Sequence, residues 1–234
     1  MKFNDIPKFV INLDRRSDRM ESITKEMEYL GWEFERFSGI DTNSYMGCTK
    51  SILEIIKIAK ERNYPRVMII EDDCGVMPYA KDLLNKIEQE SPNLEFAVMN
   101  LGPTHNGPIN ISENHGLLLD MTNLPKSTEG VRSIFATNMV IYDQSIYDTM
   151  FDISLTAFTT NGNYFHSIDD YIFKFIIKKY QSYCPVIPIA PQKSGHSNVS
   201  EGSDNNWHTQ TYNWNNWCPI KIPNEFMDQL KVQE

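Results

Sequence analysis

The chain has 234 residues, 41% of them apolar and 23% charged, enough for one ordinary core and unlike either a disordered chain or a membrane bundle. Twenty-two basic residues stand against 31 acidic ones, a formal charge of −9, which argues against the basic surface that nucleic acid or an anionic membrane requires. A small anionic ligand stays open, because a few Arg side chains, backbone N–H groups or a metal ion suffice to hold it.

The four Cys, at positions 48, 74, 184 and 218, form no CxxC pair. Their spacing opposes a zinc cage and a disulfide scaffold and points to free thiols in a reducing compartment. Asn4, Asp5 and Pro7 interrupt any apolar leader, and no apolar run is long enough to cross a bilayer. The expectation is one cytoplasmic domain over 1–234, with no membrane span.

In chain order, Lys8–Leu13 reads as a buried strand. Ser17–Leu30 reads as a helix, with Met20, Ile23, Met27 and Leu30 on one face and Gly31 as its stop. Glu33–Phe37 alternates like a strand. Cys48–Glu61 carries the helical stripe Ile52, Ile55, Ile56, Ala59 and is closed by Asn63 and Pro65. Arg66–Ile70 is a compact apolar strand, Tyr79–Glu90 a third helix and Phe96–Leu101 another strand. This alternation predicts an α/β fold: a mostly parallel, Rossmann-type sheet with helices on both faces.

Gly102–Gly130 is rich in Gly, Pro, Asn and Ser, with one strand at Gly116–Asp120. A connection that long suggests a functional loop. Ile134–Tyr142 reads as one or two strands, Ser145–Phe151 as a short helix, Asp169–Tyr180 as a helix burying Ile172, Phe173, Ile176 and Ile177, and Val186–Ala190 as a last extended segment. From about residue 192 an irregular, Trp- and Asn-rich tail is expected, with Trp207, Trp214 and Trp217 pinning it to the domain.

Four constellations carry chemistry. Glu71, Asp72 and Asp73 end the strongest strand, where ligands of open α/β sheets sit. Three crowded carboxylates repel unless a cation lies between them, and hard oxygen ligands favour Mg²⁺ or Mn²⁺; the alternative is a solvated acidic turn. Asn12 to Arg19, at the first strand–helix junction, places Arg15, Arg16 and Arg19 where a helix N-terminus can hold an anion, or where surface ion pairs form. Asp169 and Asp170 open a helix, as caps or as a general base facing a cleft. His196 lies in a Gly/Ser loop, exposed or serving as a third metal ligand or phosphate contact. The chain has neither GxGxxG nor GxxxxGK[ST] and no GxSxG elbow, which opposes dinucleotide, P-loop and hydrolase-triad chemistry.

Together these blocks resemble glycosyltransferase family 25, the lipopolysaccharide-type sugar transferases and collagen hydroxylysine galactosyltransferases. The segments concerned are Phe9–Arg19, Gly39-Ile40-Asp41, Gly47-Cys48-Thr49-Lys50-Ser51, Val67–Asp73, Ser167–Tyr171 and Pro191–Ser197. They cover about residues 8–200; the departure is Ile52, where the family pattern has His. The resemblance implies a GT-A-like single domain, a carboxylate-bound Mn²⁺ (or Mg²⁺) and a UDP-sugar donor. It also implies inverting transfer of a hexose, galactose or glucose, to a glycan or protein hydroxyl acceptor. On that basis Asn12, Arg15, Arg19, Asp41, Ser51 and Gln192 would bind the donor. Asp73 with Glu71 or Asp72, and His196, would bind the metal, and Asp169 or Asp170 would take the acceptor proton. Acceptor choice would lie in the loop around 103–126. A nucleotidyltransferase or phosphohydrolase using the same acids is a second enzymatic reading. A catalytically weak nucleotide-sugar or carbohydrate-binding protein of the same fold is a third, favoured by Ile52.

Overall fold

The computed structural model describes residues 1–42, 45–105, 114–115, 117–122, 134–152, 168–185 and 189–193. Strand β1 (Lys8–Asn12) buries Phe9 and Val10. Helix α1 (Ser17–Leu30) buries Ile23, Met27 and Leu30. It ends at Gly31, whose φ of 74° needs a residue free of a Cβ penalty, and the Trp32 N–H returns to the Met27 carbonyl at 2.9 Å to close the turn. Strand β2 (Glu35–Ser38) is followed by α2 (Tyr45–Glu61), β3 (Arg66–Glu71), α3 (Ala80–Glu90) and β4 (Val98–Asn100).

The next elements are short. Strands β5 (Thr104–His105) and β8 (Ile134–Phe135) pair as a separate ribbon, while β6 (Asn114–His115) and β7 (Leu118–Asp120) form a hairpin at the end of the main sheet. Strand β9 (Met139–Asp143) leads through a 3₁₀ turn into helical residues 147–152. A short helix, Ile168–Tyr171, widens into a π-helical turn, Ile172–Ile177, and β10 (Ser182–Pro185) follows.

The main sheet has the order β2-β1-β3-β9-β4-β10-β7-β6. The expected α/β class and its parallel pairing are present in β2-β1-β3 and in β4-β10, while β9, between β3 and β4, is antiparallel to both. The chain steps from β1 to β2 in one direction and from β2 back past β1 to β3 in the other. With right-handed crossovers this puts α1 and α2 on opposite faces. It also makes the ends of β1 and β3 a topological switch point.

Several boundaries differ from expectation. Helix α2 begins at Tyr45 rather than Cys48, and Gly47 in its first turn packs under the Ile40 carbonyl: a Cβ there would lie 2.3 Å from that oxygen. The Asp169–Tyr180 helix is split between a helical and a π-helical turn, with Ile172, Ile176 and Ile177 buried as expected. Of the expected last segment, Val186–Ala190, only Ile189 and Ala190 lie among the described residues; an unexpected strand, Ser182–Pro185, precedes it. That strand pairs with β4 and β7, whereas Ile189 and Ala190 are tied to the Leu101 carbonyl. The described residues hold no helix long and apolar enough to cross a membrane. Cys48, Cys74 and Cys184 are free thiols; Cys218 and the three tail Trp lie outside the described residues.

After Ile189 the chain runs as a strap over the loop that follows β3. Met77 N–H bonds to Ile189 O at 3.0 Å, Gly75 N–H to Pro191 O at 2.6 Å and Lys193 N–H to Asp73 O at 2.7 Å. Gly102 is what lets the strap come this close, since a Cβ on it would lie 1.9 Å from Ala190 O. Gly102→Ala therefore forces backbone apart. The expected cost is about 1–3 kcal/mol, as for overpacking a core, which at this chain length lowers Tm by roughly 2–12 °C. A melting curve within 1 °C of the parent would mean that the strap is not seated this way.

Candidate active site

The switch point gathers polar side chains from four segments. Asn12 ends β1, Glu71 ends β3 with Asp72 and Asp73 just beyond it, and Arg19 lies in the first turns of α1. Gln192 comes from the strap. The Asn12 Nδ2 donates to Asp72 Oδ2 at 2.8 Å and to the Arg16 carbonyl at 2.9 Å. One Arg19 nitrogen donates to both Asp72 Oδ1 (2.9 Å) and Asp73 Oδ2 (3.0 Å), and Gln192 Nε2 donates to the same Asp73 oxygen at 3.0 Å. Asp73 Oδ1 is buried and has no hydrogen-bond partner. Thus Asn12, Arg19, Asp72, Asp73 and Gln192, drawn from distant parts of the sequence, form one connected network.

Glu71 faces a different partner. Its Oε1 accepts from the Thr137 hydroxyl at 2.6 Å, and its N–H donates to Asn138 O at 2.9 Å. Thr137 and Asn138 come just before β9. Because β9 runs antiparallel, its first residues lie at the edge where β3 and β4 end. Asp169 approaches from the short helix, and its Oδ2 accepts from Ala136 N–H at 3.2 Å. Ala136 has a φ of 73°, a conformation that costs a non-glycine residue free energy, and Asn100 Nδ2 holds its carbonyl at 2.8 Å. Asp169 and Asn100 thus grip both polar groups of the bend that presents Thr137 and Asn138.

The electrostatics follow. Burial, then the charge of Asp73, pushes the Glu71 carboxyl up to about 8, against the Thr137 hydrogen bond. Burial and Asp73 also raise Asp72, while Arg19 and Asn12 act in the opposite sense. The Cys48 thiol is pushed well up by burial and then by Glu71, Asp169, Asp73 and Asp72, so it is no thiolate nucleophile.

Other expected site residues fall elsewhere. Arg15 pairs with Asp41, an ion pair joining the two loops that follow β1 and β2. Ser51 is buried. Its Oγ accepts from Ile40 N–H at 2.9 Å and donates to Gly47 O at 2.8 Å, so it fixes the Gly39–Asp41 turn. Ile52 is 1% exposed and packs in the core. The side chain of Asp170, and all of His196, lie outside the described residues. Arg36 went unnoticed in the sequence: its Nε donates to Asn12 Oδ1 at 3.2 Å and its guanidinium pairs with Asp14. A groove of about 590 Å³ runs from Asn12, Asp14 and Arg36 down the side of α1 to Glu28 and meets the cluster only at Asn12.

Among the described residues no three His, Cys, Asp or Glu side chains are arranged as a metal cage. Asp72 and Glu71 have their own partners. The fit to a cation rests on Asp73, whose buried Oδ1 is an acceptor with nothing to accept. Mg²⁺ and Mn²⁺ sites that keep one or two carboxylates and complete their shell with substrate phosphates and water suit such a donor set.

No family model matches the chain, so the resemblance to family 25 finds no support there, and no curated protein matches it. Among solved structures it is similar to a crystal structure of a glycosyltransferase involved in the glycosylation of the major capsid of PBCV-1. The TM-score is 0.49 and the identity 10%, over 76% of this chain and 80% of that one. At that distance no residue role passes from one protein to the other.

The raised Glu71 carboxyl makes a pH prediction. In the fold it keeps its proton up to about 8, whereas unfolded it loses it near 4.5. The native state therefore binds more protons between these values, and stability falls as pH rises through them. Without divalent metal, the unfolding free energy should decline from pH 5 to 8, and Glu71→Gln should flatten the decline and match or exceed the parent at pH 8. Parallel pH profiles for the two proteins would contradict this.

Proposed function

We propose that the chain is a sugar transferase that moves a hexose from a UDP-sugar to a hydroxyl acceptor with inversion. The observation that carries the proposal is the buried, unpartnered Asp73 Oδ1 at the switch point, in a carboxylate cluster clamped by Arg19, Asn12 and Gln192. A rigid, partly neutralised acid at the end of a parallel strand suits the phosphate end of a nucleotide. The family resemblance supplies the uridine and the sugar.

In the proposed reaction the acceptor oxygen attacks the anomeric carbon, the bond from that carbon to the diphosphate oxygen breaks, and the acceptor proton goes to a carboxylate. Asp169, or Asp170 beside it, would take that proton. Asp169 already accepts the Ala136 N–H through one oxygen, which fixes the direction of its carboxylate. Asp73 would hold the divalent cation, with Glu71 adjacent. That ion, when bound, supplies positive charge to the departing diphosphate. Asn12 and Arg19 keep Asp72 turned away from the ligand, and Gln192 anchors Asp73 from the strap.

The test is a thermal-shift panel. UDP or UDP-hexose with Mn²⁺ should stabilise the fold by about 2.7 kcal/mol at a hundredfold excess over Kd, and ADP should not. In Asp73→Asn the shift with UDP and Mn²⁺ should vanish while the protein remains folded. Equal shifts with ADP and UDP would defeat the nucleotide assignment. A Mn²⁺-dependent shift that survives in Asp73→Asn would place the cation on other residues.

A further inference from the structure

Asn138 is 2% exposed, and its Nδ2 has no hydrogen-bond partner. The β3–β9 register runs through Ile70↔Met139, so the next pair is Glu71 opposite Asn138, and the Glu71 N–H does bond to Asn138 O. Residues directly opposite on antiparallel strands share a face, so the register places the Asn138 and Glu71 side chains on one face of the sheet, at the edge where β3 and β4 end. Tyr142 Oη is also buried and unpartnered, but Tyr142 is paired with Val67 and Val98, well inside the sheet, and borders no opening edge.

An unpaired buried amide is costly, and Leu would fill almost the same volume without that cost. The surroundings are built to present it. The strained bend at Ala136 is held from both sides by Asp169 and Asn100, and it sets Thr137 and Asn138 against Glu71. What belongs beside a buried N–H donor flanked by carboxylates can be deduced. A phosphate oxygen could accept from Nδ2 but has no proton to give the Glu71 carboxyl, and an ammonium group cannot accept from Nδ2. A hydroxyl does both tasks, accepting from the amide while donating to a carboxyl oxygen of Glu71.

We propose that Asn138 is a specificity-determining residue that, with Glu71, binds a ring hydroxyl of the transferred sugar. This rests on the sugar-transferase reading above. It adds that the sugar, as distinct from the nucleotide, is recognised by the segment leading into β9.

The test compares UDP with UDP-glucose and UDP-galactose, titrated calorimetrically with Mn²⁺ present, on the full chain and on Asn138→Leu. The parent should bind at least one UDP-hexose about tenfold more tightly than UDP, the size of one buried hydrogen bond. Asn138→Leu should bind UDP as the parent does, bind that hexose no better than UDP, and melt at the parent's temperature or above. If the leucine variant does not fold, Asn138→Ala is judged by the same affinity ratio. A variant that keeps the parent's ratio overturns the inference alone, as does a parent that binds UDP and both hexoses equally. A fall of several degrees in Tm with the ratio unchanged would assign the amide to a structural water and also overturn it. A parent that binds none of the three nucleotides overturns the donor-site reading, and this inference with it.

Discussion

Adjacent carboxylates at the end of a strand repel one another, and the rest of the site depends on the Arg19 guanidinium that lets them coexist. Two unit charges about 4 Å apart near a protein surface interact by roughly 4 kcal/mol, a large share of the stability of a domain. Arg19 meets this by donating to Asp72 and Asp73 at once, and Asn12 and Gln192 complete the pairing. Such groups are not alternatives to function. They fix which carboxylate oxygens are spent on the fold and which one, Asp73 Oδ1, is left over.

That clamp ties distant parts of the chain together. Arg19 reaches in from α1 and Gln192 arrives 119 residues after Asp73. Lys193 bonds to the Asp73 carbonyl through its backbone while its side chain meets Ser22 and Glu26 on α1. The strap therefore closes one side of the acidic loop, and the Ala136 bend, held by Asn100 and Asp169, closes the other. Strain at Ala136 is affordable only because both of its polar groups are gripped by side chains.

Where the sequence carried a local signal, it was readable. Helix α1 begins and ends where the apolar spacing and Gly31 put it, and the acids stand at the end of β3 because a run of apolar residues stops at Glu71. The Gly47-to-Ser51 block is explained by packing: a glycine under the Ile40 carbonyl and a serine one turn later that ties the same loop. What stayed hidden was non-local. Strand direction leaves no mark on a short apolar run, so nothing in 134–142 announced that β9 would enter antiparallel and bring Thr137 and Asn138 to Glu71. Arg36 looks like any charged residue on an exposed edge strand until Asn12 is beside it. Strand β10, a Ser-Tyr-Cys-Pro segment, has too little alternation to outbid the apolar run after it.

The most direct measurement of the central claim is a crystal of the chain grown with UDP and Mn²⁺, recorded at the manganese absorption edge. One anomalous peak is expected at the Asp73 carboxylate, with the diphosphate on its far side and Arg19 still bound to Asp72. A peak on other side chains, or UDP bound away from the ends of β1 and β3, would contradict it.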